Sequence, residues 1–328
     1  MQTNQSTLPT HSVLILGANG RFGQAASDAF AQAGWQVLAQ ARRAVDQLPS
    51  TARHLEIALE DDDALIAAAK GARVVVYAVN PNYTQWETQA LVLARHGMRV
   101  AEKLGATFML PGNVYNFGAA MPELLLEHTP QTPTTRNGRV RCEMEAELQA
   151  QSHHGLRSVI IRAGDFYGAG LGSWLDLAVV KSMARGKLVY PGPLDVAHAW
   201  AYLPDLARCF VLAANNRHLP GFARLHFPGH TLTGAQLIDA VTSAAQRLGL
   251  APVGGFQTGG MPWRVMRVGG LFVPMWHEVA QMQYLWNVPH QLSGSALQEA
   301  IGSIPNTPVD VAMGRSLTAL MAHGMNLG

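Results

Sequence analysis

A glycine-rich turn near the N-terminus constrains this chain more than any other feature. Residues 13–16 are apolar and predict a buried strand, which runs into Gly17, Gly20 and Gly23, and residues 24–31 predict a helix. A strand, a tight glycine turn and a helix in that order aim the helix N-terminus at a pyrophosphate. Gly17 can make the sharp turn, Gly20 lets the backbone approach the phosphates, and Gly23 lets helix and strand pack closely. A purely structural turn would carry similar glycines, but the flanking strand and helix favour a dinucleotide site.

The pattern beyond this turn alternates strands with helices. Further strands are predicted at 35–40, 73–79, 106–110 and 157–162, and helices at 64–70, 83–104 and 137–152. This order predicts an α/β fold with a doubly wound parallel sheet, the Rossmann arrangement. Past residue 168 helices dominate, at about 171–185, 204–215 and 233–248, followed by an irregular helical region.

Three units follow from this order. Residues 1–11 predict a flexible tail, residues 12–168 plus about 197–228 a dinucleotide-binding domain, and residues about 169–196 plus 229–328 a smaller, mostly helical substrate lobe. Such a lobe over the carboxyl edge of the sheet would form a substrate cleft.

Composition excludes several classes of binding partner. Lys and Arg total 24 against 22 Asp and Glu, which is too balanced for a nucleic-acid partner. No apolar run reaches the roughly 20 residues of a membrane span, and the N-terminal residues do not resemble a signal peptide. Cys142 and Cys209 are isolated and predict a reducing, cytoplasmic compartment. The histidines show no compact ligand spacing, so no metal site is expected, and the acids at 60–63 predict helix capping rather than metal binding.

The form of the cofactor is indicated after the second strand. Arg42 and Arg43 follow it, with no Asp or Glu between residues 35 and 45. In this fold an acid at that place receives a ribose 2′-hydroxyl, whereas a nearby Arg receives a 2′-phosphate. NADP is therefore expected rather than NAD, although two solvated arginines on a loop would look the same.

Other residues expected at the cofactor lie in the glycine turn or after later strands. They are Asn19, Arg21, Phe22, Asn80 and Asn113. Arg21, between two of the glycines, could add a phosphate contact.

These features together resemble the short-chain dehydrogenase/reductase superfamily, in its extended NAD(P)-dependent epimerase/dehydratase branch. Besides the glycine turn, four places carry the resemblance: Val114-Tyr115 with Gly118, and the segments 162–168, 201–207 and 300–305. The resemblance covers most of the chain, from residue 13 to about 317. It implies the Rossmann fold and a small-molecule substrate, and a homodimer is the partner arrangement considered.

The catalytic motif departs from this family. The family carries Tyr-x-x-x-Lys before the sixth strand, where Tyr is the acid/base and Lys lowers its pKa and holds the ribose. Alignment on Glu145 puts Asn137 and Arg141 at those positions, and residues 111–113 lack the family's Ser or Thr. Asn does not exchange a proton near neutral pH, and Arg is effectively always charged. Arg141 could still reach the ribose hydroxyls; alternatively, Asn137 is a helix N-cap and Arg141 is solvated.

Substitute proton donors are therefore needed. Tyr115, after the fifth strand, is the first candidate and Tyr83, after the fourth, is the second, while Asp165 and Tyr167 are expected to meet substrate. Each could instead be a side chain packed at a loop.

Two classes of function stay open. One is an NADP(H)-dependent oxidoreductase or epimerase-like enzyme on a small carbonyl or sugar-nucleotide substrate, and the other is a non-catalytic NADP(H)-sensing regulator. The Trp- and Met-rich C-terminal region could form an apolar cleft, which favours the enzyme, or it could be plain core.

Overall fold

A computed structural model describes residues 11–45 and 47–328, so most of the predicted tail lies outside the described residues. The strands, in chain order, are β1 (Ser12–Leu16), β2 (Gln36–Gln40), β3 (Arg53–Leu55), β4 (Ala72–Tyr77), β5 (Thr107–Gly112), β6 (Leu124–Leu125), β7 (Ser158–Arg162), β8 (Asp165–Tyr167), β9 (Lys187–Tyr190), β10 (Ala197–Tyr202), β11 (Phe222–His226), β12 (His230–Thr233), β13 (Gln257–Gly260) and β14 (Gln291–Leu292).

The α-helices, in chain order, are α1 (Arg21–Gln32), α2 (Asp62–Ala68), α3 (Trp86–Leu104), α4 (Arg136–Ser152), α5 (Leu203–Asn215), α6 (Gly234–Arg247), α7 (Trp263–Gly269), α8 (Pro274–Gln281), α9 (Tyr284–Asn287), α10 (Ser295–Ile301) and α11 (Val309–Ala322). Short 3-10 turns lie at Tyr83–Gln85, Tyr115–Phe117 and Met183–Arg185, and a short π-helical segment lies at Leu175–Val179.

A seven-stranded parallel sheet in the order β11-β7-β5-β4-β1-β2-β3 forms the centre of the fold. Alternate residues of its strands enter two different cores. Val13 and Ile15 of β1 pack in the core shared with α1 and α5, whereas Leu14 and Leu16 pack in the core shared with α3 and α4. Helices thus cover both faces of the sheet, which explains the near-continuous apolar strands and confirms the doubly wound α/β prediction.

Strand and helix ends follow local chemistry. The Asp61 carboxylate accepts a hydrogen bond from the Ala64 N–H, so the acidic run caps α2 as the sequence predicts. Gly105, with a left-handed φ of 62°, ends α3. β5 continues through Pro111 and Gly112, which pair with β7, whereas the strand predicted from the sequence ends at residue 110. The short edge strand β3 was not predicted from its sequence.

The helix predicted at 171–185 is wrong for most of its length. Gly170 and Gly172 adopt positive φ angles of 62° and 101°, which a helix does not contain. The Asp176 carboxylate then accepts hydrogen bonds from the N–H groups of Gly172 and Ser173, which fixes an irregular loop. Only the Leu175–Val179 segment and the Met183–Arg185 turn are helical there.

The elements around a second, three-stranded sheet of β12, β10 and β8 are here called the second lobe. β10 pairs in parallel with β8 and antiparallel with β12, while β9 pairs with β13 and β6 with β14. Helices α6 and α11 pack beside this sheet in a third core, rich in Tyr and Trp. α8 lies against the Tyr83–Gln85 turn, so the second lobe reaches the loop that follows β4.

Candidate active site

The glycine turn lies between β1 and α1, against the segment after β4. Gly17 has a left-handed φ of 81°, and a Cβ there would lie 2.9 Å from the backbone nitrogen of Val79. A Cβ on Gly23 would overlap the carbonyl oxygen of Gly17. Gly17 thus makes the sharp turn and Gly23 the close helix approach that the sequence predicts.

Helix α1 begins with backbone donors that no side chain caps. Gly20 is the N-cap residue, without a side-chain hydrogen bond and without an acid in the first turn. The first helical hydrogen bond runs from the Gln24 N–H to the Gly20 oxygen, at 2.9 Å. The N–H groups of Arg21, Phe22 and Gly23 precede it and have no partner within the helix. These donors and the positive end of the helix dipole suit a pyrophosphate.

Gln40, which sequence reasoning did not single out, holds this turn from β2. Its backbone oxygen accepts hydrogen bonds from the N–H groups of Gly17 and Ala18 at 3.1 and 2.9 Å. Its side-chain oxygen accepts from the Gly17 N–H at 3.0 Å, and its Nε2 donates to the Ile57 oxygen at 2.7 Å. The sequence offers one signal for this role, namely a polar amide residue, Gln40, directly after three apolar residues of the strand.

Asn19 ties the turn to the loop after β2. Its Nδ2 donates to the backbone oxygens of Arg43 and Ala44, at 3.2 and 3.3 Å. Arg42 and Arg43 are both exposed on that loop. The structure therefore brings Asn19, Arg42 and Arg43 together beside the glycine turn.

Arg21 and Phe22 leave the turn in other directions. The Arg21 guanidinium donates to the backbone oxygen of Phe166 at 3.2 Å, just after the start of β8, and burial lowers its pKa. Phe22 is buried against Phe210, with ring centroids 4.8 Å apart, so only its backbone faces the turn.

Two tyrosines meet where the loops after β4 and β5 converge. The hydroxyl oxygens of Tyr83 and Tyr115 lie 3.2 Å apart, and burial raises the pKa of both phenols. Trp86 stacks on the Tyr83 ring, and its Nε1 donates to the Asn80 side chain at 3.1 Å. The Asn113 side chain accepts from the Tyr115 N–H at 3.1 Å. Both asparagines thus shape the loops that carry the tyrosines.

Arg141 reaches this cluster from α4. Its Nη1 donates to the Pro111 oxygen at 3.3 Å, and its guanidinium lies 4.8 Å from the centroid of the Trp86 ring. Burial lowers the pKa of the guanidinium, and its Nε is buried with no hydrogen-bond partner among the described residues. The alternative of a solvated Arg141 is therefore wrong.

The alternative of Asn137 as an N-cap is wrong as well. Thr135 caps α4, because its hydroxyl accepts a hydrogen bond from the Gly138 N–H at 3.1 Å. Asn137 lies inside the first turn and is buried. Because α4 begins two residues earlier than the N-cap alternative requires, the Asn137 backbone is already helical and its side chain packs inside the protein.

A further group at this site is an acid–imidazole pair with a buried ring. The Asp165 carboxylate, on β8, lies 2.8 Å from Nε2 of His198, on β10. Nδ1 of His198 lies 3.3 Å from the Leu285 oxygen. Leu285 and Tyr115 belong to one apolar cluster, against which Tyr83 also packs, so the acid–imidazole pair lies beside the two phenols.

The structure does not bring Tyr167, expected to meet substrate, to these residues. It is 1% exposed, and its hydroxyl lies 2.7 Å from Nδ1 of His230. Tyr167 lies two positions after Asp165, so the alternation of side chains along a strand would place both on the same side of β8. Tyr167 packs instead in the Tyr- and Trp-rich core, which accounts for its separation from Asp165.

Sequence reasoning also missed His198 and Tyr284. The Tyr284 hydroxyl is buried without a partner among the described residues, and its phenol senses the charge of Asp165. Only an abundance of aromatic residues in the C-terminal region hinted at such groups, and nothing in the pattern around His198 marked it.

The residues present fit a nicotinamide dinucleotide. Uncapped N–H groups at α1 and the unpartnered Arg141 Nε are donors suited to its phosphates and ribose hydroxyls. Among residues 11–45 and 47–328, no group of three or more His, Cys, Asp or Glu side chains could hold a metal ion. In the same part of the chain, no helix has the length and apolar character to cross a membrane.

Comparison with known proteins agrees with this geometry. The family model described as "NAD dependent epimerase/dehydratase family" matches residues 13–221. This chain belongs to that family, which confirms the resemblance drawn from its motifs. A search of curated proteins found no match to the chain.

Solved structures share the whole fold at low identity. A putative epimerase from Burkholderia cenocepacia J2315 is 18% identical, with a TM-score of 0.74 over 96% of this chain and 100% of its own. The Bordetella bronchiseptica enzyme WbmH, solved with NAD+, is 17% identical, with a TM-score of 0.73 over 96% and 99%. UDP-glucose 4-epimerase from Thermotoga maritima, solved with UDP-glucose, is 14% identical, with a TM-score of 0.71 over 96% and 100%. At these identities the likeness shows the fold.

Proposed function

We propose that this protein is an NADP(H)-dependent oxidoreductase or epimerase-like enzyme acting on a small carbonyl or sugar-nucleotide substrate. The observation that carries the proposal is the pair of Tyr83 and Tyr115 hydroxyls, 3.2 Å apart. These two hydroxyls are proton-bearing groups at a site where Asn137 and Arg141 replace the family's Tyr and Lys. Structural neighbours solved with NAD+ and with UDP-glucose support a dinucleotide and a sugar nucleotide.

Each group has a role at such a site. The nicotinamide cofactor, when bound, supplies hydride exchange with the substrate carbon. Tyr115 donates a hydrogen bond to the reacting oxygen, with Tyr83 fixing its hydroxyl. Because burial raises the pKa of both phenols, they keep their protons through the neutral range and act as donors rather than bases. The Arg141 guanidinium, fixed by Pro111 and Trp86, offers its Nε–H to a ribose hydroxyl.

The preference for NADP rests on the loop after β2. Arg42 and Arg43 are exposed there, next to the Asn19 contact that joins this loop to the glycine turn. We expect NADPH to bind at least about tenfold more tightly than NADH, because a charge-assisted hydrogen bond is worth about 1.5–3 kcal/mol. Nucleotide fluorescence titrations measure both affinities. Arg42→Ala should remove most of the difference and Arg217→Ala, at an exposed arginine after α5, should keep it; equal affinities in the wild type would contradict the preference.

Turnover tests the catalytic part. Against a panel of carbonyls and sugar nucleotides, Tyr115→Phe should lower kcat by about 10²–10⁴, the usual worth of a positioned acid/base. Tyr202→Phe is the matched control, because Tyr202 is a buried tyrosine that packs on Tyr167 in the second lobe. A kcat unchanged by Tyr115→Phe would remove Tyr115 from the mechanism.

A non-catalytic NADP(H) sensor is the second candidate, favoured by the presence of Asn137 and Arg141 in place of the family's acid/base pair. Under that function NADPH binds but no member of the panel is reduced, oxidised or epimerised. Tyr115→Phe would then leave the NADPH affinity unchanged, and no variant would affect a turnover.

We also propose that the protein forms a homodimer and lies in the cytoplasm. Helices α7 and α8 and their connection expose apolar side chains: Val265, Val268, Leu271, Phe272, Val273, Met275 and Trp276. An exposed patch of this kind supports a homodimer. Sedimentation velocity should show a dimer that Leu271→Ser with Phe272→Ser weakens. The free thiols Cys142 and Cys209 support a reducing, cytoplasmic compartment.

A further inference from the structure

Both ring nitrogens of His198 face oxygen acceptors. Nε2 lies 2.8 Å from the Asp165 carboxylate and Nδ1 lies 3.3 Å from the Leu285 carbonyl oxygen. The side chain of His198 is 2% exposed and that of Asp165 is 13% exposed. The Asp165 carboxylate is therefore the more exposed member of the pair.

This arrangement fixes where protons can lie. A carbonyl oxygen only accepts hydrogen bonds, and a neutral imidazole donates from one nitrogen only. If Nδ1 donates to Leu285, the Nε2–Asp165 contact needs a further proton, carried by either atom. The Asp165–His198 pair then holds one proton between the carboxylate and Nε2, in addition to the proton on Nδ1.

Aromatic neighbours hold the ring in place. His198 stacks on Trp286 with centroids 4.3 Å apart and planes 5° apart, and His290 meets its face at 4.6 Å. Burial, together with the charge of His198, lowers the pKa of His290 to about 3. His290 is therefore a neutral ring at neutral pH. A fixed ring keeps Nε2 on the Asp165 carboxylate.

Packing sets the surroundings of Asp165. Arg21 donates to the backbone oxygen of the adjacent Phe166 at 3.2 Å. Leu285, whose oxygen faces His198, belongs to one apolar cluster with Tyr115, against which Tyr83 and Tyr284 also pack. The charge of Asp165 acts on Arg21, on these three phenols, on Tyr190 and on His290. The acid–imidazole pair therefore lies beside the phenols that the proposed function assigns to the reacting oxygen.

We propose that Asp165 and His198 supply the proton that the missing Tyr-x-x-x-Lys pair would otherwise deliver. Asp165 is the catalytic residue and His198 a positioning residue that holds the proton behind it. In the reducing direction the carbonyl carbon gains a hydride from the nicotinamide cofactor. The carbonyl oxygen takes the stored proton from the Asp165 carboxyl group, which yields an alcohol, and a proton taken up from bulk solvent then reprotonates the pair. This inference rests on the proposed function.

Nuclear magnetic resonance of ¹⁵N-histidine-labelled protein tests the proton store without any substrate. The His198 signals are assigned by their loss in His198→Gln. At neutral pH we expect Nδ1 of His198 to carry a proton in the wild type. A neutral ring protonated only at Nε2 would overturn the inference, and this result does not depend on whether the protein turns over a substrate.

Kinetics then test the use of that proton. Asp165→Asn keeps the shape of the side chain and should lower kcat by about 10²–10⁴ with NADPH affinity retained. It should also remove the limb of the kcat–pH profile that the pair contributes. His198→Gln should alter the same limb, and His230→Gln, at a partly buried histidine bonded to Tyr167, should leave the profile unchanged. A wild-type profile and kcat in Asp165→Asn would overturn the role of the pair even if Tyr115→Phe abolishes turnover.

Discussion

Mild acid should destabilise this protein through two buried histidines. Burial lowers the pKa of His226 and of His290 from the ordinary 6.5 to about 3. Below pH 6.5 the unfolded chain therefore binds a proton at each ring while the folded chain does not, so their contribution to stability is complete above that pH and is lost progressively toward pH 3.

The size of the effect follows from linkage. Each ring contributes about 1.4 kcal/mol per pH unit within that window. From about pH 6.5 to about pH 5 the two rings together should lower the free energy of unfolding by roughly 3 kcal/mol, because the unfolded rings are already half protonated at pH 6.5. This is a large part of a typical stability of about 5–15 kcal/mol.

Urea unfolding followed by tryptophan fluorescence, at a series of pH values, measures this slope. In His226→Gln the slope should fall by about 1.4 kcal/mol per pH unit, because one titrating ring is gone. His154→Gln, at an exposed histidine after α4, should keep the wild-type slope. A wild-type slope in His226→Gln would refute the reasoning, since it would mean that the buried ring titrates as it does in the unfolded chain.

Three further variants test the cofactor site. Gly20→Val should abolish nucleotide binding because the side chain fills the phosphate space. A Cβ there would lie 3.3 Å from the Gly17 oxygen, a tight contact that a small shift of the turn relieves, so a circular dichroism spectrum should show a folded protein. Unchanged affinity in a titration of the folded variant would contradict the site. Arg141→Ala should weaken NADPH binding, measured by calorimetry, because it removes the unpartnered Nε donor. Asn137→Ala should leave turnover within about a few-fold of the wild type, and a larger loss would point to a water relay through Asn137.

Much of the nucleotide half could be predicted because its signals are local. The turn conformations of Gly17 and Gly23 depend on a few neighbouring atoms, and the apolar strands of a parallel sheet are recognisable from short runs of sequence. The meeting of Tyr83 with Tyr115 also follows, since neighbouring parallel strands bring the loops at their carboxyl ends together.

The contacts of the second lobe could not be predicted from the sequence because they join residues that lie far apart along the chain. His198 meets Asp165 only through the pairing of β10 with β8, and Leu285 comes from a helix far along the chain. The predicted helix at 171–185 failed because positive φ angles at Gly170 and Gly172 outweigh the helical periodicity of the residues that follow. Tyr167 was misplaced because its motif gives its position along the chain but not which core it enters.

The pairing of distant segments also sets an order of events during synthesis. β1, β2 and β4 can pair soon after residue 77 has left the ribosome, so the glycine turn, set against residues 78 and 79, can form early. The acceptor for Nδ1 of His198 is Leu285, which emerges much later. A growing chain could therefore hold a nucleotide well before its acid–imidazole pair is aligned, and a bound nucleotide would stabilise the half-made protein while the second lobe is completed.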